Sequence, residues 1–389
     1  MRDDLPTTYA QVDQSALRHN ARAVLDHLDG RASLCAVVKA NAYGHGLLQT
    51  SRLFAEAGAE ALGVADIDEA IAIRQSGLET RIMLFHPLAE ADIPDALEHR
   101  LTITVTQDEH VAALASACEA QGAQAEWQLA VDVGLGRSGT TSNPAELLRS
   151  ASRRLGRGPW GIWTHLGPHM APESLPTEPP PTWEQARDIP QRLRHLDAMR
   201  ERLREEPDPP VFHAAASCAM CDTDALLWDM VRVGTALYGA YPPARPRILD
   251  LKPALSLRSR IVELRTVPAG IQVGYGGEFR TKRETVLATV PVGLFHGVGV
   301  VPYSSISLRV AAKRSARRAL GRRGRPFRAA ITTVREASAP IVGRISLNEC
   351  AVDVTDVAGV ALGDAITVPT RMTSLNPVVP RVFIDEAPG

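Results

Sequence analysis

A chain of 389 residues with 45% hydrophobic and 22% charged side chains can bury more than one core, and its length favours two or three domains. No apolar run reaches membrane-spanning length and residues 1–8 lack the apolar core of a signal peptide, so the cytoplasm is the default expectation. A net charge of −1 gives no global sign of nucleic-acid binding, and five cysteines, an odd count, fit reduced thiols better than a disulfide framework.

Up to about residue 240, short apolar runs alternate with longer amphipathic stretches. Strands are expected at 34–38, 61–65, 82–85, 102–105, 127–131, 161–165, 211–215 and 230–233, with helices between them at, for example, 47–57, 66–76, 108–121 and 183–205. Eight strand–helix units favour a closed (β/α)8 TIM-type barrel, with an open doubly wound sheet as the alternative. A barrel gathers its chemistry at the C-terminal strand ends. Lys39, Arg137 and His165 each follow such an end, and Arg232 lies near the last one.

Further along, the proline-crowded stretch 167–181 has little periodicity and reads as a surface loop or a lid. Cys218 and Cys221 form one CxxC without a second pair, which reads as small residues opening a helix, not as a metal or redox site. Beyond Tyr241-Pro242-Pro243 the apolar runs become short, valine-rich and separated by turn residues, so a β-rich domain follows. The barrel domain is expected over 9–243, and the β-rich domain over 244–389 together with residues 1–8. Between Thr285 and Arg335 there is no Asp or Glu but ten Lys and Arg. The segment 304–335 reads as a solvated loop, with attraction of an acidic substrate, carrier protein or nucleic acid as the alternative.

Lys39 closes the first strand and is followed by a loop containing Gly44 and Gly46. A strand-end lysine is either a surface residue or an amine desolvated enough to lose its proton. A neutral amine can form a Schiff base with an aldehyde such as pyridoxal phosphate.

The wording Val37-Val38-Lys39-Ala40-Asn41-Ala42-Tyr43-Gly44-His45-Gly46 resembles the cofactor-attachment motif of the alanine racemases, which are fold-type-III pyridoxal-phosphate enzymes. Other matches follow in chain order. Asp132-Val133-Gly134-Leu135-Gly136-Arg137 is similar to the family stretch whose arginine bonds the cofactor's phenolic oxygen, and Thr164-His165 to the pair whose histidine packs on the pyridine ring. His213-Ala214-Ala215-Ala216-Ser217 resembles His-Ala-Ala-Asn-Ser, with Ser217 expected as helix N-cap and phosphate ligand. In Met230-Val231-Arg232-Val233-Gly234-Thr235-Ala236-Leu237-Tyr238-Gly239 the resemblance gives Arg232 the pyridine nitrogen. The Gly234 and Thr235 amides, with Tyr43 and Ser217, would hold the phosphate. Val273-Gly274-Tyr275-Gly276-Gly277 resembles the segment carrying the second catalytic base, which reaches the lysine of the other subunit, so a head-to-tail homodimer with shared active sites is implied.

Departures from the family accompany these matches. Ala130 stands where many members have a carbamylated lysine, and Leu294 replaces a pocket tyrosine. Leu347-Asn348 replaces Met-Asp at the substrate carboxylate, and Pro377 stands at the usual place of a phosphate-binding tyrosine. The resemblance therefore implies a pyridoxal-phosphate-dependent amino-acid racemase or epimerase with Lys39 and Tyr275 as its two bases and a small-molecule amino acid other than plain alanine as substrate. A lyase or decarboxylase on the same fold, and a non-catalytic pyridoxal-phosphate-binding or regulatory protein, are the alternatives.

Overall fold

The computed structural model describes residues 5–167, 170–241, 248–300 and 331–385. The expected boundary at 243 and the basic residues 304–330 lie outside the described residues. The chain divides into two compact units, one of residues 14–253 and one of residues 1–13 with 254–389.

Strand β1 (Tyr9–Asp13) precedes the barrel. The eight strands that follow are β2 (Ser33–Val37), β3 (Ala61–Val64), β4 (Arg81–Leu84), β5 (Thr102–Val105), β6 (Glu126–Ala130), β7 (Gly161–Trp163), β8 (Val211–His213) and β9 (Met230–Val233). All pairings between them are parallel, in the order β8-β7-β6-β5-β4-β3-β2-β9. The ring closes between its two ends through a parallel bridge from Ala216 to Arg232, where Arg232 N donates to Ala215 O at 3.0 Å. Buried on both faces, such strands read as unbroken apolar runs, and β3, β5 and β9 are buried at every position.

The helices between the strands follow the expected pattern. Leu47–Glu56, Ile67–Gln75 and Asp108–Gln121 occupy the expected stretches. The stretch 183–205 divides into a 3-10 turn, Trp183–Gln185, and the helix Ile189–Leu203, whose Asp188 caps Gln191 N at 2.9 Å. Residues 170–181 contain neither helix nor strand. Cys218 and Cys221 lie on the short helix Ser217–Asp222. Among the described residues no helix is long and apolar enough to cross a membrane, and no group of three or more His, Cys, Asp and Glu is arranged to hold a metal ion.

The second unit is built from β10 (Leu255–Arg260), β11 (Glu263–Val267), β12 (Gln272–Val273), β13 (Phe279–Arg280), β14 (Thr285–Val290), β15 (Ile331–Val334), β16 (Ala337–Val342), β17 (Cys350–Asp353), β18 (Ala365–Val368) and β19 (Arg381–Ile384). Its main sheet runs β11-β14-β17-β16-β15-β18-β10-β1-β19, and β12 and β13 form a separate antiparallel pair. One covered face gives alternating burial, as in β15, and the core contains Val290, Val334, Val352 and Ile366. Tyr9–Asp13 was expected in the barrel but pairs antiparallel with β10 and parallel with β19 in this sheet. Its alternating Ala10 and Val12 supply the apolar face that such a position requires.

Candidate active site

Lys39 leaves the end of β2 into an unusual turn. Ala40, Asn41, Ala42 and Tyr43 all have φ of 52–56°, a full turn of left-handed backbone without one glycine. Each such residue costs about 1–2 kcal/mol, so neighbouring groups must hold the turn. Ala42 N bonds Val38 O at 2.8 Å, Gly46 N bonds Asn41 O at 3.0 Å, and Leu47 N bonds Asn41 Oδ1 at 2.8 Å. The Tyr43 and Tyr238 rings lie 4.9 Å apart, and Tyr238 Oη donates to Val37 O at 2.9 Å.

Tyr43 is thereby directed at the start of the turn Thr235–Tyr238. A Cβ on Gly234 would stand 2.5 Å from Tyr43 Oη, so glycine alone permits this approach. Ser217 Oγ accepts from Gly234 N at 3.2 Å, which brings Tyr43, Ser217, Gly234 and Thr235 to one place. Thr235 opens its turn, so its N–H has no acceptor within that turn. The N-cap role expected of Ser217 is corrected: Ala216 is the N-cap and Ser217 is the first helical residue, its oxygen being committed to Gly234 across 17 positions.

Arg232, 3% exposed, is the electrostatic centre of the barrel. Its Nη1 donates to His213 O at 2.8 Å and to His213 Nδ1 at 3.0 Å. Its Nη2 donates to Thr164 O at 2.6 Å and Ala214 O at 3.2 Å, with His165 Nδ1 at 3.4 Å. A guanidinium can only donate, so His213 must accept at Nδ1 and keep its proton on Nε2. Trp163, the register partner of Ala130 on the next strand, carries the Arg232 guanidinium 5.0 Å from its ring centre. Where the family's carbamylated lysine would stand there is thus a buried alanine beside an indole.

Arg137 is exposed on the loop after β6. The carboxylate of Asp132 shapes that loop by accepting from Gly134 N and Leu135 N at 2.8 Å and from Gly136 N at 2.9 Å. In the absence of the family's lysine, Asp132 is the group that organises the approach to Arg137.

These cations lie close enough to act on one another. Burial, then Arg137 and Arg232, hold the Lys39 amine below its ordinary value, with Glu69 opposing them. Burial first, then Arg232, Arg137 and Lys39, push His165 down to about 3. Arg232 itself is lowered by burial to about 10 and stays charged at neutral pH. Because folded His165 binds its proton less readily than unfolded histidine, it costs stability as pH falls from about 6.5 toward 3, and none above that window. The expected result is a His165 imidazole that remains neutral at pH 5 in nitrogen-detected NMR of the apoprotein; protonation near pH 6 would contradict this electrostatic reading.

In the β-rich unit, Tyr275 is 73% exposed on the turn Tyr275–Gly277 between β12 and β13. A Cβ on Gly343 would fall 2.6 Å from Val273 O, which presses the loop from Gly343 onward against the Tyr275 segment. The same loop meets the turn Leu294–His296, where Leu294 N bonds Ser346 O at 3.0 Å and Phe295 N bonds Leu347 O at 2.9 Å. Leu294, Leu347 and Asn348 are exposed in this arrangement. Pro377 is exposed, and its carbonyl accepts from Arg381 at 2.6 Å.

Two residues near Lys39 escaped the sequence reading. His86 follows β4, and its imidazole is lowered by burial and then by the charges of Lys39 and Arg137. Glu69 acts on Lys39 from the first turn of Ile67–Gln75. The acidic run Asp66-Ile67-Asp68-Glu69 just after a strand was the available signal for Glu69; nothing marked His86.

A closed (β/α)8 barrel with a lysine, two arginines and a neutral histidine at its C-terminal strand ends, followed by a strand-rich unit, has the build of a fold-type-III pyridoxal-phosphate enzyme. Residues 12–242 match the family model "Alanine racemase, N-terminal domain" and residues 254–378 match "Alanine racemase, C-terminal domain". The chain belongs to the alanine racemase family, whose members are pyridoxal-phosphate-dependent isomerases. It is 30% identical over 367 residues to alanine racemase 2 of Oceanobacillus iheyensis, a match covering 93% of this chain and 83% of the relative. Alanine racemase from a D-cycloserine-producing Streptomyces lavendulae superposes with a TM-score of 0.78 at 30% identity, covering 99% of each chain. The alanine racemase of Bartonella henselae, solved with covalently bound pyridoxal phosphate, shares the fold at a TM-score of 0.75 and 22% identity, covering 98% of this chain and 100% of that one.

Proposed function

We propose that this chain is a two-base pyridoxal-phosphate-dependent amino-acid racemase, working as a head-to-tail homodimer on an amino acid other than plain alanine. The observation that carries the reading is the cluster of three cations, Lys39, Arg137 and Arg232, around the neutral His165, with the lysine amine depressed by burial and the two arginines. Such a cluster suits an anionic cofactor. Arg232 finds only neutral acceptors around it, and its Nε–H donates to none of the described residues.

Pyridoxal phosphate, when bound, supplies an electron sink that makes the α-proton of an amino acid labile. Tyr43, Ser217 and the backbone of Gly234 and Thr235 would hold its phosphate, and Arg137 its phenolic oxygen. His165 would pack against the ring. Arg232, still protonated at neutral pH, would donate to the ring nitrogen without readily surrendering a proton. An arginine in that position would keep its proton, which would favour proton removal and return over bond cleavage. Lys39 moves the proton on one face of the α-carbon, and the partner subunit's Tyr275 moves it on the other. Two bases on opposite faces are what inversion requires.

The substrate clause rests on Leu294, Leu347 and Asn348, which replace a hydroxyl, a thioether and a charge with apolar or neutral groups. Partners missing from a site built for alanine can redirect specificity by about 1–3 kcal/mol per group. The test is proton NMR of the loaded enzyme in D2O with a panel of L- and D-amino acids, following α-proton exchange and optical purity. Exchange with loss of optical purity is expected, with a side chain larger than methyl giving a higher kcat/KM than alanine. Alanine as the best substrate would end the substrate clause. Retained α-protons across the panel, with cofactor bound, would end the racemase reading in favour of lyase, decarboxylase or binding roles.

A further inference from the structure

The left-handed turn after Lys39 has an anchor on another element. Glu69 Oε2 accepts from Ala40 N at 3.0 Å, and Glu69 Oε1 accepts from Asn41 N at 2.6 Å. These two N–H groups open the turn, and no carbonyl within it is available to them, as at the start of any helix. One carboxylate oxygen for each is a charge-assisted, two-point clamp. The clamp acts across 28 and 29 positions, from a helix whose own start is fixed by Asp66 accepting from Asp68 N at 2.9 Å. Lys39 immediately precedes the clamped residues and Tyr43 is the last non-glycine residue of the same run of positive φ, so both proposed cofactor contacts are set by the geometry of this turn.

We propose that Glu69 is the positioning residue of the site: by clamping the Ala40 and Asn41 amides it selects the left-handed turn that holds Lys39 and Tyr43 in place. This inference rests on the cofactor reading above only for its functional consequence; the clamp itself is a property of the apoprotein. The proximity of the carboxylate to Lys39 adds an electrostatic effect, since Glu69 raises the amine's proton affinity against burial and two arginines.

The test uses the full-length protein in apo and loaded forms with E69Q, E69D and the double variant A40G/E69Q. Glutamine retains one acceptor and presents an N–H group to the other amide. Hydrogen exchange of residues 40–46 in the E69Q apoprotein is expected to accelerate at least about ten-fold, and pyridoxal-phosphate affinity to fall by about ten-fold. E69D, one methylene shorter, reaches one amide and is expected to lie between. In A40G/E69Q, glycine adopts positive φ without penalty, so affinity should return to within about three-fold of wild type. The pH dependence of pyridoxal-phosphate binding to the apoprotein, which reads the free Lys39 amine, should move to lower pH in E69Q and remain moved in the double variant, because the lost charge is not restored. The exposed neighbour Asp68, changed to asparagine, should leave every readout unaltered.

Wild-type exchange and affinity in E69Q would overturn the clamp, as would a loss that A40G leaves unrepaired. If E69Q is not recovered folded, E69D and A40G/E69D carry the same comparison. Failure of the wild-type protein to bind pyridoxal phosphate would instead count against the proposed function, with the exchange measurement still deciding the clamp.

Discussion

Replacing Lys39 by methionine should reduce racemisation by at least about 10⁴-fold, because it removes both the cofactor's anchoring amine and one of the two bases. Methionine keeps the apolar stem and discards only the charge, which makes the accompanying stability change informative. Folded Lys39 binds its proton less tightly than an unfolded lysine at 10.5, so in the wild type it lowers stability at every pH below its depressed value. The penalty shrinks as pH rises and is gone above 10.5. K39M apoprotein should therefore melt no lower than wild type at neutral pH, and any advantage should disappear as pH approaches 10.5. A surface lysine would show neither effect. Thermal unfolding across pH, with α-proton exchange in D2O, measures both; retained racemisation or a markedly lower melting temperature at pH 7 would remove Lys39 from the chemistry.

The second large effect is expected at Arg232. Changing it to leucine takes the donor from the carbonyls of Thr164 and Ala214, and one of two donors from that of His213, which keeps Thr164 N at 3.2 Å, in the barrel interior. The cost should be about 3 kcal/mol or more, which for a unit of this size lowers the melting temperature by roughly 6–12 °C. R232K keeps the charge but has three donors on one atom in place of a planar fork, so it should fall between leucine and wild type. Pyridoxal-phosphate affinity should follow the same order. An R232L apoprotein as stable as wild type would mean that the buried network contributes little to the barrel.

The barrel was legible because its eight strands are short, largely apolar runs separated by longer amphipathic stretches, and the observed bounds fall within two residues of the expected ones. Strand β1 was not: Tyr9–Asp13 has the alternation of a half-buried strand, but five residues do not say which of two sheets they join. Lys39, Arg137, His165 and Arg232 could be placed at strand ends from pattern alone, and the family resemblance gave their chemistry. Neither route pointed to Glu69, Asp132 or His86 as site residues, because their effects run through space to backbone amides or to charges on other elements. The Ser217 cap failed for a related reason, since its oxygen is engaged by Gly234 rather than by its own helix.

The position of β1 also constrains how the chain can be made. Its two sheet neighbours, β10 and β19, are synthesised long after it, and Ala10 and Arg381 pair across 371 positions. At ribosomal speeds the wait for β19 is on the order of 20 to 70 s, and during it the whole of the barrel emerges. Until β10 is made both edges of Tyr9–Asp13 are unpaired, and until β19 is made one still is, leaving the strand able to join the wrong sheet or another chain. The second unit thus cannot complete its sheet until β19 has been made, and its assembly depends on recovering a strand synthesised about 370 residues earlier.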